Sequence, residues 1–354
     1  MDIETRMELV ARAPTAEIIT SDELRTLLET NDSPTHYIGY EISGYVHLGT
    51  GLVTVKKIKD LAEAGFKINI LLADYHSWLN DKLGGDLERI RKVAHSYFKK
   101  ALVSLGLPED KVKFILASEI YDGEYWADVL RISRVSTINR ILRCTTIMGR
   151  KESEANHASH IVYPIMQAAD IFKLGADVAH GGMDQRKVHM FAREISEKLG
   201  RKKAVALHTQ LLMGLQGPKK MGFEQNEVAD TYISSKMSKS DPNSCVFIHD
   251  SEKDIAKKIG KAYCPEKVTE NNPIIQLAEV ILMHQPSFTI ERPAKYGGSL
   301  EIASAGELKT IYIEGKLHPM DLKNGVAGAL SEILKPSRDY FEKNKDSLEL
   351  VTQE

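Results

Sequence analysis

Two short runs carry groups suited to handling a polyphosphate. In His47 to Thr50 (HLGT) a histidine and a glycine stand at a turn before a helical stretch. Free N–H groups and the helix dipole favour anions there, and a glycine lets backbone approach a phosphate closely. In Lys236 to Ser240 (KMSKS) two lysines three positions apart, flanked by Ser235, Ser238 and Ser240, offer point charges and hydroxyl donors to a departing pyrophosphate. Each run alone also has an ordinary reading, as a capped turn and as a solvated charge run. A third set lies in IVYPIMQAADIFKLG, where Tyr163, Gln167 and Asp170 fall on one helical face and the rest of the surface is apolar. Such a helix is buried, so its polar stripe faces either a ligand pocket or an internal hydrogen-bond network. No nucleophile triad is recognisable, which suits chemistry whose attacking group belongs to the substrate and whose catalysis is positioning plus electrostatics.

These groups need a frame. Runs rich in β-branched and apolar residues recur at HYIGYEI (36), INILLAD (68), VKFILASE (112), ADVAHGG (176) and AVALHT (204), with amphipathic stretches such as 54–64 and 87–105 between them. The alternation predicts a doubly wound parallel α/β sheet. Ligands then bind beyond the carboxyl ends of the strands, at 39–50, 74–76, 118–119 and 181–185. After about 250 the pattern turns helical, with no strong strand run. The predicted division is a catalytic domain over 1–248, including a helical insertion at about 120–160 and a KMSKS loop at about 214–245, and a smaller helical domain over 249–354.

The 354 residues are 42% hydrophobic and 27% charged, enough for two cores. No apolar run reaches bilayer length and the acidic start reads as no signal peptide, so no membrane association and a cytoplasmic address are expected. Cys144, Cys245 and Cys264 are scattered, which suggests neither disulfides nor a zinc site, and no metal ligands are assigned. A formal net charge of −2 argues against a uniformly basic nucleic-acid coat. It leaves local basic clusters: Arg150-Lys151, Arg186-Lys187, Arg201-Lys202-Lys203 and Lys219-Lys220. Each is equally well a solvated surface.

Together, after the first and last strands of one sheet, HLGT and KMSKS resemble the signatures of the class I aminoacyl-tRNA synthetases. YIGYEISG, LLADYHSWLN, YPIMQAAD, GGMDQRK and HPMDLKN extend the likeness over nearly the whole chain, to the tyrosine-specific family of archaea and eukaryotic cytoplasm. The resemblance implies a Rossmann-like fold of the HUP type, an inserted connective segment and an anticodon-binding helical domain. It implies ATP with Mg2+ and L-tyrosine as substrates, tRNA(Tyr) as partner, and a homodimer formed through the connective segment. His47, Gly49, Thr50, Lys236 and Lys239 would be catalytic. Gly182, Asp184 and Ser240 would join His47, Gly49 and the two lysines at ATP, with Asp184 at the ribose. Tyr37 and Asp170 would hydrogen-bond the substrate phenol, Tyr163, Gln167 and Gln185 its ammonium group, with Gly39 along the adenylate and His76 lining the pocket. Arg186 would read the acceptor stem, and Tyr296, His318 and Asp321 the anticodon.

The phenol contacts make physical sense as a filter, since phenylalanine would leave a buried carboxylate and hydroxyl without partners. Tryptophan remains open, because an indole N–H also donates and sequence does not measure pocket volume. A nucleotidyltransferase with an HxGH-like turn, and a non-catalytic RNA-binding paralogue, are the rivals from other classes. One departure from the family pattern stands out: Thr50 replaces the final histidine of the HIGH motif, leaving His47 as the one imidazole of that turn.

Overall fold

The computed structural model describes residues 1–148, 157–218, 235–238 and 241–352. The chain divides into two compact units, one of Met1–Gly44, Lys57–Gln210 and Asp346–Glu354, the other of Tyr45–Lys56 and Leu211–Lys345.

The first unit holds a six-stranded sheet: β1 (Thr15–Ile19), β2 (Thr35–Tyr40), β3 (Lys67–Leu72), β4 (Val112–Leu116), β5 (Val178–Gly182) and β6 (Val205–Thr209). Its order is β1-β6-β5-β2-β3-β4. All five expected parallel strands are present, and their near-continuous apolar runs suit a sheet covered on both faces: Ile68, Ile70, Leu71, Val178 and Ala179 are buried. β1 was not expected; it lies antiparallel on β6. The strand order reverses between β2 and β5, the place where doubly wound sheets bind ligands. There the sheet parts. β2 pairs with β3 from Thr35 to Tyr40, but with β5 only at His36 and Tyr37. Beyond Tyr37 the carboxyl ends of β2 and β5 are therefore free to line a cleft.

The second unit is mainly helical, with helices Glu252–Lys261, Pro273–His284, Ala305–Ile313 and Pro319–Lys343. Pro273 and Pro319 open two of them, where a missing N–H costs nothing. A small antiparallel hairpin, β7 (Phe288–Ile290) and β8 (Leu300–Ile302), stands among the expected helices. Its approach explains a glycine inside a long helix: a Cβ on Gly325 would stand 2.7 Å from Ile290 Cγ1.

Candidate active site

The helix Ala158–Lys173 carries the predicted stripe, and Tyr163 and Asp170 are buried on it. Asp170 Oδ1 accepts hydrogen bonds from Tyr121 Oη (2.7 Å) and Tyr125 Oη (3.0 Å). Its other oxygen lies 3.7 Å from His76 Nε2, too far for a hydrogen bond. Burial pushes the Asp170 carboxyl up to about 7, with the two phenols acting against that rise. Burial holds His76 down, to about 4, so its ring is neutral. Tyr37, on β2, is 1% exposed; burial and then the neighbouring Asp170 charge raise its phenol. The His76 ring meets Tyr163 edge-on at 4.5 Å. Tyr163 Oη donates to Glu41 Oε1 (3.3 Å), just past β2. Gln167 Nε2 donates to Gln185 Oε1 (3.0 Å), joining the helix to the turn after β5.

Glycines keep this end of the sheet open. A Cβ on Gly39 would lie 2.7 Å from Tyr37 Oη, and one on Gly181 would lie 2.9 Å from Gln185 Cβ. Gly182 begins the Met183–Gln185 turn, which carries Asp184. Thus Tyr37, His76, Tyr163 and Asp170 gather around one another, and Gln167 of the same helix pairs with Gln185 from the turn after β5. Chemically the arrangement offers one unshared carboxylate oxygen and neutral ring groups to a hydroxyl-bearing aromatic ligand.

The phosphate candidates belong to the second unit. Gly49 N–H donates to His47 Nδ1 (3.1 Å), fixing the imidazole over its own turn. Leu48 N–H donates to Val246 O and Ile248 N–H to Val46 O, both at 3.1 Å, and His47 bridges Phe247. A wide helical turn over Gly49–Val53 follows, leading into the expected helical stretch. Thr50 takes part through its carbonyl, which accepts from Thr54 Oγ1 (2.6 Å). Lys236 forms a bridge with Met213, and Met237 N–H donates to Leu212 O (2.6 Å). Lys239 and Ser240 lie outside the described residues, as do Arg150-Lys151 and Lys219-Lys220.

Among the RNA candidates, Arg186 begins the helix Arg186–Lys198 and bonds Glu17 through Nε (2.9 and 3.0 Å). Tyr296 is 60% exposed. His318 caps the Pro319–Lys343 helix, its Nδ1 accepting from Met320 N–H (3.1 Å), and Asp321 sits in the first turn. Arg201, Lys202 and Lys203 pair with Asp128, Asp177 and Glu197.

Tyr121, Tyr125 and Glu41 were missed. Tyr121 and Tyr125 lie 49 and 45 positions from Asp170 in sequence, so no local spacing connects them. The available signal was the aromatic cluster IYDGEYW just past the carboxyl end of β4, directly after the candidate pair Ser118-Glu119.

Known proteins resemble this chain in sequence and in fold. The model of the tRNA synthetases class I (W and Y) matches residues 29–233 and 225–335. The tyrosine–tRNA ligase of Thermococcus kodakarensis is 50% identical over 370 aligned positions, spanning 100% of this chain and 99% of the relative. A crystal structure of tyrosyl-tRNA synthetase complexed with L-tyrosine from Pyrococcus horikoshii superposes with a TM-score of 0.93 at 48% identity, covering 99% of this chain and 100% of that one. Its counterpart from Archaeoglobus fulgidus, also with L-tyrosine, gives 0.85 at 42% identity, covering 96% and 99%.

Proposed function

The chain belongs to the class I tRNA synthetases for tryptophan and tyrosine, and from that premise we propose that it is the tyrosine enzyme. It activates L-tyrosine with ATP and transfers the tyrosyl group to the 3' end of tRNA(Tyr). The observation that carries the reading from class to amino acid is Asp170: one oxygen saturated by two phenols, the other left in a buried aromatic pocket.

In the first step a tyrosine carboxylate oxygen attacks the α-phosphorus of ATP. The new carboxyl–phosphate bond forms as the bond to the bridging oxygen breaks, and pyrophosphate leaves with its electron pair. No side chain becomes covalently attached. Tyr163, Gln167 and Gln185 hold the ammonium group, and Tyr37, His76 and Asp170 the ring end, fixing the carboxylate for attack. His47, Lys236 and Lys239 stabilise charge developing on the leaving phosphates, with Gly49 and Thr50 supplying backbone and hydroxyl contacts at the turn and Ser240 joining the lysines. Gly39 and Gly182 leave room along the adenylate and Asp184 accepts from the ribose. Mg2+ enters with ATP as part of the substrate, coordinated chiefly by phosphate oxygens and water. In the second step a terminal ribose hydroxyl of the tRNA attacks the tyrosyl carbonyl, and AMP departs.

The region 249–354 acts as the anticodon-binding domain, where Tyr296 stacks on a base and His318 and Asp321 meet its edge. We place the enzyme in the cytoplasm, where its substrates are; no helix among the described residues is long and apolar enough to cross a membrane. A homodimer through the segment at about 120–160 accounts for the exposed Trp126, Leu130 and Ile138. The deciding experiment is ATP–pyrophosphate exchange with each standard amino acid. Tyrosine-dependent exchange is expected; exchange with tryptophan, or with none, contradicts the reading.

A further inference from the structure

A chain of polar groups in the first unit is used by none of the steps above. Glu17, in the middle of β1, takes Arg186 Nε on both carboxylate oxygens, at 3.0 and 2.9 Å. On its other side His208 Nδ1, from β6, lies 2.9 Å from Glu17 Oε2. Behind that, His208 Nε2 lies 3.1 Å from His189 Nδ1, and the two rings stack at 5.1 Å. His189 and His208 are buried, whereas the Arg186 and Glu17 side chains are 45% and 28% exposed.

The donor directions follow from chemistry. A carboxylate only accepts, so His208 Nδ1 carries a hydrogen. Burial holds both imidazoles below their ordinary range, so each is neutral, and His208 Nε2 is an acceptor. His189 Nδ1 therefore carries the hydrogen between them. Every bond in the chain points toward Glu17. The carboxylate is fixed from the core side, and it in turn fixes Arg186 by the Nε edge alone. Among the described residues neither Nη group of Arg186 has a hydrogen-bond partner. A guanidinium held this way presents two parallel donors outward, the fork that suits a phosphate or a guanine edge. Freezing the long side chain during folding removes an ordering cost from binding.

We propose that Glu17, backed by His208 and His189, is a positioning residue that presents Arg186 to the acceptor end of the tRNA. This rests on the reading that Arg186 meets that RNA.

The test compares aminoacylation of a tRNA(Tyr) transcript with tyrosine-dependent ATP–pyrophosphate exchange in the full-length enzyme. Glu17→Gln raises KM for the transcript about fivefold, the scale of one half-exposed ion pair, while exchange stays within about twofold. Glu17→Asp, which retains the charge, falls between. In an Arg186→Ala background, Glu17→Gln adds nothing further. Additive effects, a lower transcript KM in Glu17→Gln, or loss of exchange alongside aminoacylation each overturn the proposal. An ordinary transcript KM in Arg186→Ala alone would overturn instead the reading on which it rests.

Discussion

The pocket proposed around Asp170 and the patch proposed to include Tyr296, His318 and Asp321 would meet their ligands under opposite conditions. In the first, Tyr37, His76, Tyr125, Tyr163 and Asp170 are all at least nine-tenths buried. In the second, Tyr296 is 60% exposed and His318 spends one ring nitrogen on its own helix. The first can discriminate by desolvation, because a ligand lacking a hydroxyl strands polar groups that have no water. The second works beside bulk solvent, where each contact is weak and selection comes from the number of contacts and their geometry. Single substitutions should therefore be severe and chemically specific in the pocket, and graded in the patch.

One break should come from space as well as from polarity. Gly39→Ala puts a methyl 2.7 Å from the hydroxyl of the buried Tyr37 ring, and overpacking of this kind should lower kcat/KM for tyrosine about tenfold to a hundredfold. A smaller change would mean that Tyr37 yields easily and is no fixed part of the filter.

Tyr121→Phe should come next, with an effect that depends on pH. Phenol donors favour the ionised carboxylate, so losing one raises the Asp170 pKa further above its present value of about 7. The acid limb of kcat/KM for tyrosine should move up by about one pH unit, and activity should recover toward pH 9. A parallel loss at every pH would show Tyr121 acting by packing alone.

In the patch, Asp321→Asn should raise KM for tRNA(Tyr) about fivefold, as one exposed contact among several, and leave tyrosine-dependent exchange alone. A loss of exchange would remove the contrast between the two regions.

A further effect concerns stability. The folded Asp170 pKa, about 7, exceeds its ordinary 3.8, so the group's contribution is full below the lower value and is lost as pH rises through the higher one. Melting of the ligand-free enzyme should show that decline between about pH 4 and 7, and Asp170→Asn should flatten it. An unchanged slope would place the titration elsewhere.

Legibility in the sequence divided along the same line. The five parallel strands and the Tyr163, Gln167, Asp170 stripe follow from periodicity, which is a local property. β1 escaped because Glu17 at its centre interrupts the apolar run, and the β7–β8 hairpin because strands of three residues carry no period. The phenols on Asp170 and the carboxylate under Arg186 escaped because their partners are remote in the chain; Glu17 and Arg186 are 169 positions apart. HLGT was legible as a turn, but the bonds tying Val46 and Leu48 to the 246–248 segment were not.

The most direct measurement is the ratio of kcat/KM for tyrosine over phenylalanine in ATP–pyrophosphate exchange, compared between the native enzyme and Asp170→Ala. If Asp170 reads the phenol, the ratio should collapse by at least about a hundredfold, with a far smaller change in KM for ATP. Equal losses for both amino acids and for ATP would contradict the account.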